Sequence, residues 1–195
     1  MLRTSLYERH VAAGARMVPF AGWEMPVQYA GIIEEHLHTR SRASLFDTSH
    51  MGELRLSGPR VYGDIDRLFT GRLDNLAEGR GRYGFLLNPE GGIIDDIMVF
   101  RIGPEEMFLV VNAATTDKDR AWIKGRLSPG TVLADESPET AMIALQGPLA
   151  PEVLRPLMPA AGTLKRFALA RGSIGGAACV VSRTGYTGEE GFEIF

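Results

Sequence analysis

The chain has 195 residues, 45% of them hydrophobic and 23% charged, with a formal net charge of −3. That composition describes a globular protein with enough chain for a real core, in one large domain or two small ones, and excludes a disordered segment. Scattered Lys and Arg argue against a duplex nucleic-acid binder or a polybasic membrane surface, and a single cysteine, Cys179, rules out an intrachain disulfide or a cysteine-based zinc site.

The N-terminal MLRTSLYERH has no apolar core of a signal sequence, and no stretch approaches transmembrane length. A cytoplasmic protein is expected, or an organellar one whose transit segment is absent. FAGWEMPVQY (20–29) reads as turn-rich. GIIEEHLHTRSRAS (31–44), with Ile33 and Leu37 four apart, predicts a surface helix. In GPRVYGDIDRLFTG, Val61, Ile65, Leu68 and Phe69 recur at helical spacing, with Pro59 near the start and Gly71 past the end. The period then becomes that of strands: RYGFLL (82–87), the turn NPEGG (88–92), IIDDIMVF (93–100), a break at GPEE and MFLVV (107–111) predict a meander. A helix near 116–127, the strand TVLA, the strand AMIAL entering the turn QGP, and a short helix around 149–157 come next. A Gly-rich turn, the strand CVVSR with a buried Cys179 thiol, the loop TGYTGEEG and FEIF complete the chain. An apolar end with no cap or polar tail predicts that the sequence belongs to something longer.

GGIIDDIMVF (91–100) sets two adjacent carboxylates in an apolar strand. Alternation sends Ile93, Asp95, Ile97 and Val99 to one face and Ile94, Asp96, Met98 and Phe100 to the other. Both faces are apolar, so at least one aspartate must be hydrogen-bonded, paired, protonated or open to a pocket. An edge-strand aspartate or a turn acceptor is the alternative. Three other signals are weak. GRGRYG (79–84) matches G-x-G-x-x-G, but loop-like sequence precedes it and a strand comes after it, the wrong order for a dinucleotide site. His36 and His38 are two apart on a helix and do not share a face. Ser49 beside His50 lacks the strand–elbow–helix setting of a nucleophile.

FAGWEMPVQY, FDTSHMGE (46–53), GGIIDDIMVF, VVNAAT (110–115), ALQGP (144–148) and SRTGYTGEEGFE (182–193) stand in series. In this order they resemble the T-protein family of the glycine cleavage system, the tetrahydrofolate-dependent aminomethyltransferases. The resemblance runs across essentially the whole chain, but family members are nearly twice as long. It implies transfer of a one-carbon unit from the aminomethyl-lipoyl arm of H-protein to tetrahydrofolate, with release of ammonia and without a metal. A carboxylate can steady the developing positive charge and manage the proton. The matching position is Asp96, expected to be catalytic and to contact folate. Glu193 matches the pterin-binding glutamate, a carboxylate suited to accept paired hydrogen bonds. Tyr83 and Tyr186 match tyrosines of the same pocket, and Met51 and Asn112 also fall at matching positions. For each tyrosine, a core aromatic with a satisfied hydroxyl is the structural alternative. Glu189 and Glu190 read as solvated. Alternatives are a folate-dependent demethylase of the same superfamily, or a non-catalytic folate-binding module. The latter typically carries a cysteine in the segment matching RTGYTGEEGFE, and this chain has none there.

The fold class expected is α+β, antiparallel meander sheets with flanking helices. The resemblance implies two interleaved lobes, 1–54 with 137–195 and 55–136, and a folate pocket between them. Hairpin register decides which aspartate shares a face with Tyr83. Pairing Leu87 with Gly92 puts Tyr83 opposite Asp96; pairing Leu87 with Ile93 puts Tyr83 opposite Ile97, on the face of Asp95. The first register is the one expected here, with Asp95 held by donors on the other face.

Overall fold

A computed structural model describes residues 1–195 and divides them into two units, one from Met1–His50 with Ala141–Phe195 and one from Met51–Thr140. The first stretch holds helix α1 (Tyr7–Ala12), strands β1 (Arg16–Phe20) and β2 (Trp23–Gln28), helix α2 (Ile32–Ser41) and strand β3 (Ser44–Asp47). The turn-rich reading of FAGWEMPVQY is corrected here: it is most of a β-hairpin. Ala21 and Gly22 both take positive φ, 49° and 85°, the two-residue turn whose twist matches a hairpin. Pro19 and Pro26 would be out of place in central strands, but the sheet has only these two strands. In a two-stranded ribbon both strands are edges, where a missing N–H is tolerated.

The second unit is β4 (Gly52–Ser57), α3 (Val61–Asp66), β5 (Arg80–Leu87), β6 (Ile93–Gly103), β7 (Glu106–Val111), α4 (Thr116–Lys124) and β8 (Val132–Asp135). Its antiparallel sheet runs β5-β6-β7-β4-β8, so the meander of β5, β6 and β7 is present. GRGRYG lies at the start of β5 rather than ahead of a helix. Leu54, Leu56, Leu86, Ile97, Val99, Leu109 and Val111 form one sheet face, which packs on Val61 and Ile65 of α3 and Ile123 of α4. Helix α3 is shorter than its periodicity suggests, ending before Leu68 and Phe69, which still join the core.

Ala141–Phe195 completes the first unit with β9 (Ile143–Gln146), α5 (Ala150–Leu154), β10 (Leu169–Ile174), β11 (Ala177–Ser182) and β12 (Gly191–Ile194). The sheet order is β10-β11-β12-β9-β3, antiparallel throughout, with Leu145, Val181 and Phe192 packed on Ala150 and Leu154 of α5. Strand β10 is not among the elements expected from the sequence, and Cys179 is half-buried rather than buried, its thiol pushed up by burial. No helix is long and apolar enough to cross a membrane. In this unit His10 of α1 stands 2.8 Å from Asp47 Oδ2 and 2.8 Å from the Tyr29 hydroxyl, while Thr4 donates to the same Asp47 oxygen at 2.6 Å. The buried Asp47 carboxylate thereby ties the N-terminal helix and hairpin to β3.

Asp64 does similar work in the second unit. Fully buried on α3, it accepts from Ser128 N (3.0 Å), Ser128 Oγ (2.6 Å), Thr131 Oγ1 (2.7 Å) and Arg67 Nη2 (2.8 Å). Burial pushes its pKa up, but those donors outweigh burial and bring it down to about 2. Because the folded value lies below the unfolded one of about 3.9, its stabilisation is present above that pH and is lost as pH falls toward 2. Asp64→Asn should therefore lose about 1–3 kcal/mol at neutral pH, since an amide cannot accept at both positions. Urea unfolding across the acid range should show the gap between variant and parent closing as pH drops.

Candidate functional site

Strands β5 and β6 pair from Arg80↔Arg101 through Tyr83↔Met98, Phe85↔Asp96 and Leu86↔Asp95, and then jump to Leu87↔Ile93. The register expected from the sequence, Leu87 with Gly92, is incorrect. A β-bulge leaves Ile94 as an extra residue, and the extra residue restores the parity that Leu87↔Ile93 alone would have lost. Tyr83, Phe85, Asp96 and Met98 consequently share one face, and Asp95 joins Ile97 and Val99 on the core face.

The two carboxylates meet different surroundings. Tyr83, 50% exposed, donates its hydroxyl to Asp96 Oδ2 at 3.2 Å, and its ring makes an edge contact with Phe85. Asn112, just past the end of β7, directs Nδ2 at Asp95 Oδ1 (3.0 Å), the Asp96 carbonyl (3.1 Å) and Asp96 Oδ1 (3.3 Å). Asp95 also accepts from the Thr115 hydroxyl and, through Oδ1, from the Asp96 backbone N–H at 2.9 Å. Partial burial pushes Asp95 up, but hydrogen bonds from Asp119, Thr115, Asn112 and that N–H outweigh it and hold the group below the ordinary carboxylate range. Met51 is half-buried directly before β4; since Gly52↔Val111 is the last pair of β4 and β7, Met51 and Asn112 both continue from that end.

The first unit carries the other expected residues. Glu193 on β12 pairs with Ser182 and Ala144, and accepts from the Thr184 hydroxyl through Oε2. Burial raises its pKa, only partly offset by Thr184. Tyr186 is 99% exposed on the loop between β11 and β12. That loop is organised by buried Gln146, whose Nε2 donates to the carbonyls of Thr184 (3.2 Å) and Phe192 (3.3 Å), while Oε1 accepts from Thr187 at 3.0 Å. Gly185 and Gly191 are required, because a Cβ at either would fall 1.9 or 2.4 Å from the Gln146 amide. Glu189 and Glu190 are not simply solvated: Arg40 pairs with the first at 2.9 Å and Arg183 with the second at 2.6 Å. Ser49 binds the backbone of Met142 in both directions at 3.1 Å, a structural use of its hydroxyl.

The description "GCVT N-terminal domain" matches residues 6–195. The chain belongs to the GCVT N-terminal domain family. It is 46% identical over 194 residues to the aminomethyltransferase of Desulforamulus reducens and 47% identical over 195 to that of Moorella thermoacetica, covering 99% of this chain and 53% of each relative. The chain thus spans about half the length of the curated relatives it matches. Among solved structures, glycine cleavage system aminomethyltransferase T from Bartonella henselae superposes with a TM-score of 0.92 at 35% identity, over 99% of this chain and 53% of that one. Heterotetrameric sarcosine oxidase from Corynebacterium sp. U-96 shares the fold alone, at 18% identity and a TM-score of 0.55, over 83% of this chain and 80% of that one.

Sequence reading of this GCVT chain missed three polar residues. Thr115 and Asp119 serve Asp95, and Glu53, on the sheet face of Tyr83 and Asp96, is fully buried with neither oxygen hydrogen-bonded. Burial, with Asp135 and Glu136 nearby, raises Glu53 to about 8. Only the appearance of Glu53 in FDTSHMGE hinted at it. Asn112→Ala removes a donor shared by Asp95 and Asp96 and should cost about 1–2 kcal/mol. Tyr83→Phe, at a half-exposed ring, should stay within about 0.5 kcal/mol of the parent. Denaturant melts of both variants test that order.

Proposed function

We propose that this chain supplies the one-carbon transfer machinery of a glycine cleavage aminomethyltransferase, acting on aminomethyl-lipoyl H-protein and tetrahydrofolate. The observation that carries the reading is the asymmetry of the aspartate pair. Asp95 has its oxygens occupied by fixed donors, whereas Asp96 stands on the face of a half-exposed tyrosine and receives one long contact at each oxygen. An acceptor with that remaining capacity suits a ligand's nitrogen protons. Within the first unit, Glu193 offers a comparable acceptor: its Oε2 takes Thr184, leaving Oε1 for the amino edge of a pterin. Tetrahydrofolate, when bound, supplies the ring nitrogens that accept the carbon unit. Asp96 orients and manages protons at those nitrogens, Asn112 holds the Asp96 carboxylate in place, Tyr83 and Tyr186 offer flat apolar surface with a polar tip, and Met51 adds apolar contact. The same-superfamily demethylases have no specific observation in their favour.

In a full-length protein carrying this sequence, Asp96→Asn should keep its melting temperature and lose about a hundredfold or more in aminomethyl transfer to tetrahydrofolate. Asp95→Asn should lose about 1–3 kcal/mol of stability, with the smaller kinetic effect. An Asp96→Asn protein that turns over normally, beside a well-folded Asp95→Asn protein that does not, would reverse the assignment. Glu193→Gln places a donor against ligand donors and should weaken tetrahydrofolate binding by about 1–3 kcal/mol in titration calorimetry; unchanged affinity would remove Glu193 from the site.

A further inference from the structure

Asp119, on α4, is completely buried, and no N–H or O–H group donates to either of its oxygens. The donors nearby are committed elsewhere. Lys118 Nζ lies 3.8 Å from Asp119 Oδ1, but it is half exposed and donates to the Ile94 carbonyl at 2.7 Å. Thr115 has one hydroxyl proton, and it points to Asp95 Oδ2. Asp119 stands one helical turn past Thr115, its N–H donating to the Thr115 carbonyl at 2.9 Å, and Thr115 bonds Asp95; side chains four apart share a helix face, which brings the Asp119 carboxyl beside that of Asp95. Two carboxyl groups in contact inside a protein cannot both be ionised. Asp95 already accepts from Asn112, Thr115 and the Asp96 N–H, which favours its charged form. The proton therefore belongs to Asp119.

We propose that Asp119 is a neutral carboxylic acid that donates to Asp95 and thereby acts as a positioning residue for Asp96. The path is short: Asp119 steadies Asp95, Asp95 fixes the Asn112 amide, and the same amide engages the Asp96 carbonyl and carboxylate. The inference deepens the functional reading above and rests on it for the role of Asp96, although the shared proton itself does not. Burial first, then contact with Asp95, raises Asp119 to about 7, against smaller opposing effects from Lys118 and Thr115. The charged group acting on the pair from α4 is Lys118; Asp96 of β6 meets Asp95 through its backbone N–H, and the remaining neighbours, Asn112 and Thr115, are neutral. As pH rises through that value, Asp119 gains a charge beside Asp95, the hydrogen bond between them is lost, and the hold on Asn112 loosens.

The test is an NMR titration of this chain from about pH 5 to about pH 9, following side-chain carboxyl carbons and the Asn112 amide group. One buried carboxyl carbon should titrate near neutral pH and vanish from the spectrum of Asp119→Asn, and the Asn112 amide resonances should move with it. Asp119→Asn keeps a donor at every pH, so its Asn112 resonances should stay at the low-pH position of the parent throughout. If the variant does not fold, the parent's titration decides alone. An Asp119 carbon that titrates as an ordinary carboxylate, or an Asn112 amide that ignores the neutral transition, overturns the proposal. Failure of the folate reading would be seen separately, as a chain in full-length protein that does not bind tetrahydrofolate at either end of the pH range.

Discussion

A partly buried carboxylate on the core face of a β-strand must be supplied with donors, and Asp95 of β6 draws the surrounding polar groups into place. Its partners come from the end of β7 and the start of α4, Asn112 and Thr115, 17 and 20 residues further along the chain. Each charge-assisted bond contributes more than a neutral one, and leaving the carboxylate short of any would cost the full desolvation of that group. The loop from β7 to α4 is tied to β6 by these bonds. The Asp96 backbone N–H turns onto Asp95 Oδ1, so the strand is braced where its two acidic side chains diverge.

The bulge at Ile94 decides which carboxylate goes where. The turn ahead of β6 is closed by Asn88, whose side-chain oxygen accepts from Glu90 N at 3.1 Å and Gly92 N at 2.6 Å, and whose own N–H reaches the Gly92 carbonyl at 2.9 Å. Gly91 takes φ of 81°, which a glycine adopts without strain. That closure brings Leu87 to Ile93, a pairing that by strict alternation would put Tyr83 on the face of Asp95. One extra residue reverses the outcome, so Asp96 faces outward with Tyr83 and Asp95 inward with the helices. A single residue of register thus separates a carboxylate whose oxygens are occupied by fixed donors from one that receives a single contact at each oxygen.

The first unit solves a related problem with a neutral side chain. Gln146 is 1% exposed, yet its amide satisfies two carbonyls and one hydroxyl, and the backbone that reaches it must be glycine at 185 and 191. The loop is anchored from beneath while Tyr186 stays outside, and Glu193 lies on the strand that the loop feeds. Glu193, Asp119 and Glu53 all have raised pKa values, caused first by burial. Each makes the fold bind protons more tightly than the unfolded chain, which lowers stability as pH rises through the folded value.

Alternation along β6 was legible in the sequence, because the opposite facing of adjacent strand residues is a local property of the backbone. The same holds for the meander of β5 to β7, and for rejecting GRGRYG as a dinucleotide motif, since it opens a strand instead of a helix. The six motifs also carried the family resemblance without any knowledge of their contacts. The hairpin of β1 and β2 escaped notice because its prolines mimic turn punctuation, and only the two-stranded pairing makes them acceptable. The bulge was invisible because register is fixed by turn closure and cross-strand packing together. Asp119 looked like any polar residue on a helix, and its burial against Asp95 depends on α4 lying across the core face of β6, 24 residues away in the chain. The sequence alone determined that the two aspartates point apart; tertiary structure decided which face each one meets, because faces acquire their surroundings only when distant elements pack.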